Sequence, residues 1–140
     1  MKTQRIGVFG GTFDPPHVGH LILAAEAQDQ LQLDRLLWVL TPHPPHKQDQ
    51  TISPLVIRMK LLLAAIGDNP SFEISRVDID RTGPHYALDT VRILKDQYPS
   101  AKIYYLIGGD SLHDLPAWYQ PERLIELVDG LGVMRRPGDQ

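Results

Sequence analysis

The 140-residue chain contains no cysteine, which excludes disulfides and thiolate-held metal sites. It has no apolar run of membrane-spanning length, and Met1-Lys2-Thr3 does not open a signal-peptide pattern. A soluble cytoplasmic protein with no membrane partner is therefore expected. An excess of positive charge is missing too. Fourteen Lys and Arg against 17 Asp and Glu give a net charge of −3 at pH 7, so no basic field argues for nucleic acid. There is no internal repeat, no low-complexity segment and no domain boundary, and the length suits one domain spanning 1–140. With 42% hydrophobic and 22% charged residues the composition is that of an ordinary globular chain able to bury a core without staples. Twelve prolines are more than average, and they cluster in loops, where ligand contacts tend to sit.

One stretch organises the chain: Arg5-Ile6-Gly7-Val8-Phe9-Gly10-Gly11-Thr12-Phe13-Asp14-Pro15-Pro16-His17-Val18-Gly19-His20. Ile6, Val8 and Phe9 read as a buried strand. Gly10-Gly11 is expected to break it, because paired glycines turn sharply and let a ligand approach the backbone. A helix is predicted from about Pro16 to Leu31, with Val18, Leu21, Ile22 and Ala25 as its apolar stripe. Its N-terminus would present unpaired N–H groups and partial positive charge, which suits a phosphate. His17 and His20, three apart, project from one face of the first turn beside that anion. This is neither a P-loop, since no Gly-Lys-Ser/Thr follows, nor the G-x-G-x-x-G fingerprint, whose spacing Gly7, Gly10 and Gly11 miss.

Leu36–Leu40 is a second fully apolar run, as expected of a buried parallel strand. Thr41-Pro42-His43-Pro44-Pro45-His46-Lys47 then forms a rigid loop at its carboxyl end, where open α/β sheets bind ligands. Its histidines and lysine read equally as phosphate contacts and as solvated tips. Ser53 or Pro54 opens a helix whose Leu55, Met59, Leu62, Leu63 and Ile66 form a core stripe. Phe72–Ser75 reads as a third strand, and Arg76–Arg81 as an alternating run with Val77 and Ile79 on one face. A helix is predicted from about His85, with Ala87, Val91 and Leu94 on one face. Ile103–Ile107 is a fourth strand, followed by a glycine turn at Gly108-Gly109-Asp110-Ser111. Asp110 reads as a helix cap, as a ribose acceptor or as a residue that places a magnesium ion. Leu124, Ile125 and Val128 make a short helix face, and Leu131–Met134 is a fifth strand. Five alternations of strand and helix imply an α/β, three-layer sandwich on a parallel sheet, in a Rossmann-like order of 3-2-1-4-5.

Gly10-Gly11-Thr12-Phe13-Asp14-Pro15-Pro16-His17-Val18-Gly19-His20 resembles the signature of the H-x-G-H nucleotidyltransferase superfamily. Its long form is similar to that of the bacterial nicotinate-nucleotide adenylyltransferase family. Pro44-Pro45-His46-Lys47 is similar to a family loop that closes on the nucleotide. Arg81-Thr82-Gly83-Pro84-His85-Tyr86-Ala87-Leu88-Asp89-Thr90 is similar to a second block, which usually reads Ser-Tyr-Thr where this chain has His85-Tyr86-Ala87. Gly108–Leu112 with Trp118-Tyr119 resembles a third block, and Arg135-Arg136-Pro137-Gly138 an R-P-G turn.

The resemblance implies adenylyl transfer from ATP to nicotinate mononucleotide in NAD biosynthesis, with magnesium accompanying the triphosphate. It implies His17, His20 and Lys47 as catalytic residues. Gly10, Gly11, Thr12, Phe13, His20, Gly108 and Asp110 would contact ATP. His46, Tyr86, Trp118, Tyr119 and Arg136 would contact the acceptor, Trp118 and the tyrosines framing the pyridine ring and Arg136 clamping a phosphate. No side chain is implied as a metal ligand. The same chemistry on nicotinamide mononucleotide or another phosphate acceptor stays open, because Ala87 has no side-chain donor. So does a nucleotide-binding module without catalysis, because the family's later I-S-S-T-x-I-R-type block does not occur in these 140 residues. A C-terminally incomplete domain is expected on that ground. The oligomeric state stays open, a homo-oligomer included.

Overall fold

The computed structural model describes residues 3–42, 51–108 and 114–134. In chain order these form β1 (Arg5–Gly11), α1 (Val18–Leu31), β2 (Arg35–Leu40), α2 (Leu55–Ile66), β3 (Phe72–Ser75), α3 (Ala87–Gln97) and β4 (Lys102–Gly108). A single 3-10 turn at Leu115–Ala117, α4 (Pro121–Leu127) and β5 (Gly130–Met134) complete it. The five strands make one parallel sheet in the order β3-β2-β1-β4-β5, as expected from the pattern.

β1 lies at the centre because both of its faces are apolar. Ile6 and Val8 point to one side, where they pack with Leu37, Val39 and Ile103 under Leu88, Val91 and Leu94 of α3 and Leu124 of α4. Phe9 points to the other side, into a cluster with Trp38, Leu106, Leu23, Ala24 and Ala27 of α1, and Leu62 and Ile66 of α2. Helices thus cover both faces, and the near-continuous hydrophobic strands are what a doubly covered sheet requires. No helix of the described residues is long and apolar enough to cross a membrane.

Several local expectations are corrected. Gly10 and Gly11 do not break β1; they stay in the strand, opposite Val39 and Leu40. The chain turns after them, at Phe13, whose φ of 49° is left-handed. α1 starts at Val18 rather than Pro16, because His17 takes an extended φ, ψ of −140°, 174° and serves as N-cap. Arg76–Arg81 is a turn, closed by the Asp80 N–H donating to the Arg76 carbonyl at 2.9 Å. Val77 and Ile79 therefore do not share a strand face but pack into opposite clusters. α3 starts at Ala87 rather than His85, with Tyr86 as its N-cap. Leu63 and Ile125 point outward, at 54% and 49% exposure.

Candidate active site

The site begins where β1 ends. His17 and His20 close the first turn of α1 as a reciprocal cap. The His17 Nδ1 accepts the Gly19 N–H at 3.1 Å, and the His20 Nδ1 accepts the His17 N–H at 3.0 Å. Two of the helix's four orphan donors are satisfied in this way, in the geometry usually supplied by Ser/Thr and Glu. The rings stack with centroids 3.8 Å apart. With Nδ1 committed as an acceptor, each neutral ring carries its proton on Nε2. Gly19 is required by this arrangement, since a Cβ there would stand 2.8 Å from the His17 Cε1. The Phe13 ring meets His20 edge-on at 5.1 Å and holds the pair from below.

A cleft of about 240 Å³ lies over the carboxyl ends of β1, β2 and β4, on the α3 side of the sheet. Gly10, Gly11, Thr12 and Gly108 border it, Val8, Val39, Tyr105 and Ile107 form its floor, and Tyr86, Trp118 and Tyr119 its aromatic wall. Tyr86 and Tyr119 stack at 4.4 Å with 15° between their planes. His17 and His20 do not line the cleft. The expected unpaired N–H groups are largely taken, those of His17 and Gly19 by the imidazoles and those of His20 and Leu21 by the His17 carbonyl. It is therefore the imidazole edges that suit an anion here. The strand end separates them from an aromatic cavity, and Gly10-Gly11-Thr12 borders the cavity while leading into the turn before the histidines. Phe13 is buried, at 3% exposure, as a support for that turn. His46, Lys47, Asp110 and Arg136 lie outside the described residues.

Two arginines hold the walls, and periodicity gave no sign of either as a clamp. Arg58, at 1% exposure, sits on the buried face of α2. Its guanidinium donates to the carbonyls of Ser53 at 2.9 Å, Thr12 at 3.1 Å, Thr41 at 2.8 Å and Pro42 at 3.2 Å. One side chain thereby fastens the β1–α1 turn, the end of β2 and the start of α2. Burial lowers its pKa, against the opposing pull of Asp14. The Asp14 carboxylate also accepts the Ser53 N–H at 2.8 Å. Arg81 is the second clamp. It donates to buried Asp78 at 3.0 Å, to the Tyr86 carbonyl at 3.3 Å and to Thr90 Oγ1 at 3.2 Å, while the Thr90 hydroxyl donates to Asp78 at 2.8 Å. That network sets Tyr86 at the N-terminus of α3. In the sequence Arg58 shows only as a charge among the aliphatic residues of α2, and Arg81 only as the first residue of the block that resembles the family's second one.

Glycine-bordered strand ends, a capped helix N-terminus and an aromatic cleft at one edge of a parallel sheet define a nucleotide-handling α/β domain. The chain belongs to the cytidylyltransferase-like family, whose model matches residues 8–137. It is 48% identical over 135 residues to a Thermomicrobium roseum protein named a probable nicotinate-nucleotide adenylyltransferase, covering 96% of this chain and 63% of that one. It is 43% identical over 135 residues to the Bacillus subtilis nicotinate-nucleotide adenylyltransferase, covering 96% of this chain and 71% of that one. The chain thus spans roughly two thirds of these relatives' length. The Plasmodium falciparum nicotinic acid mononucleotide adenylyltransferase complexed with NaAD shares the fold at a TM-score of 0.74 and 14% identity, over 96% of this chain and 76% of that one.

Proposed function

We propose that the chain carries the site for adenylyl transfer from ATP to nicotinate mononucleotide, giving deamido-NAD and pyrophosphate. The observation that carries this reading is the pairing of a two-histidine helix N-terminus with an aromatic cleft across one strand end. A phosphate chain and a planar ring need environments of those two kinds. The relatives' names support the choice of substrates.

In the reaction an acceptor phosphate oxygen attacks the α-phosphorus of ATP in line. A P–O bond forms, the bond from the α-phosphorus to the bridging oxygen breaks, and pyrophosphate leaves with that electron pair. The acceptor oxygen is already anionic, so no covalent nucleophile or general base is required. Catalysis is positioning and charge stabilisation. The Nε2–H groups of His17 and His20 donate to α-phosphate and leaving-group oxygens. Gly10, Gly11 and Thr12 bring the backbone close to the nucleotide. Tyr86, Trp118 and Tyr119 frame the pyridine ring. Lys47 screens charge, and His46, Asp110, Gly108 and Arg136 keep the contacts that the resemblance implies.

Magnesium bound to the triphosphate would supply charge neutralisation there. The ion is proposed to arrive with the nucleotide, as the resemblance implies, and every step is carried by the chain's own residues. A second reading, the amide as acceptor, is favoured by Ala87, which offers no side-chain hydrogen bond at the start of α3.

The test is His20→Ala. Turnover is expected to fall by two orders of magnitude or more, on the order of losing one preorganised donor. Unchanged turnover would remove the histidines from the mechanism.

A further inference from the structure

The cleft floor is apolar with one exception. Tyr105 projects from β4 among Val8, Val39 and Ile107, and it is 8% exposed. Its ring packs in the core and meets the Trp118 ring edge-on at 6.1 Å. A phenylalanine would fill the same space without the cost of desolvating a hydroxyl. That hydroxyl has no hydrogen-bond partner among the described residues. It is not sealed either, since the sealed and unpartnered side-chain atoms among those residues are Trp38 Nε1 and His85 Nδ1. It therefore opens on the cleft.

Gly10 makes room for it. A Cβ at Gly10 would stand 3.2 Å from the Tyr105 oxygen, so the hydroxyl reaches the carboxyl end of β1, where the cleft meets the glycine-bordered strand end. Burial, reinforced by the Asp78 charge, pushes the phenol's pKa well above its ordinary value. The proton stays on the oxygen at neutral pH and is available to donate. A single polar group opening on an otherwise apolar cleft floor is the kind of placed donor by which such clefts orient a ligand.

We propose that the Tyr105 hydroxyl is a ligand-binding donor of the cleft, giving a hydrogen bond to an oxygen of a planar-ring mononucleotide bound there. This rests on the cleft being the acceptor side of the adenylyl-transfer site. Nicotinate and nicotinamide mononucleotides both carry oxygens that accept such a bond, so the hydroxyl serves either acceptor.

Tyr105→Phe removes the hydroxyl and keeps the ring in the core. Calorimetric titration of the 140-residue chain with nicotinate mononucleotide, nicotinamide mononucleotide and ATP, separately, reads the effect. The variant is expected to bind the mononucleotide about three- to tenfold more weakly, the range for one hydrogen bond, with ATP affinity unchanged. Equal mononucleotide affinity in both proteins would overturn the role of the hydroxyl and leave the function standing. A matching loss of ATP affinity would overturn its assignment to the acceptor. A wild-type chain that binds ATP and neither mononucleotide would overturn the acceptor side itself, and this proposal with it.

Discussion

The His17 Nδ1 accepts the Gly19 N–H and leaves Nε2 as the ring's donor, so one residue caps a helix and presents a proton. The two roles separate by substitution. His17→Ala removes both, and denaturant unfolding should show a loss of about 1 kcal/mol, the usual cost of a deleted N-cap. His17→Asn restores a strong cap at the same position, so stability should return to within a few tenths of a kcal/mol. Turnover should stay low in both. Recovery of turnover with the cap would mean that His17 acts through the helix alone. The motif itself was legible in the sequence, and so was a helix starting beside it, though at Val18 rather than Pro16. What spacing did not show is that the histidines cap one another, which depends on the extended backbone at His17 and on the absence of a Cβ at Gly19.

Among the elements, α2 is the informative case. Its aliphatic pattern marks a core helix and correctly buries Leu62 and Ile66. The same pattern assigns Leu63 inward and passes over Arg58, because hydrophobic periodicity cannot see carbonyls waiting for a donor. Four backbone oxygens from three segments converge where Arg58 lies, and a guanidinium is the side chain with enough donors to meet them. Arg58→Met keeps the volume and strands those carbonyls. It should cost about 2–4 kcal/mol in denaturant unfolding and raise the KM for ATP, because the turn at Thr12 loses its anchor. Arg58→Lys keeps the charge with fewer, less directed donors and should fall between. A Met variant with wild-type stability would contradict the clamp. The alternation of Arg76–Arg81 does not put Val77 and Ile79 on one face for a related reason: Asp78 is consumed by Arg81 and Thr90, and the chain turns around those partners.

For the whole molecule, the sheet order was legible because each parallel strand is a short apolar run and right-handed crossovers leave few arrangements. The strand ends were legible as the place for a site. Its division into two environments was not, since the cleft draws on the ends of β1, β2 and β4, on Asp78, on the residues around the start of α3 and on Trp118-Tyr119, which only the folded chain brings together. In the proposed function these two environments hold the two substrates of one transfer. Pyrophosphate release by the 140-residue chain with ATP and magnesium, comparing nicotinate mononucleotide with its amide, tests it most directly. Release should depend on the mononucleotide and favour the acid. A folded sample that binds ATP yet releases no pyrophosphate with either acceptor would contradict it.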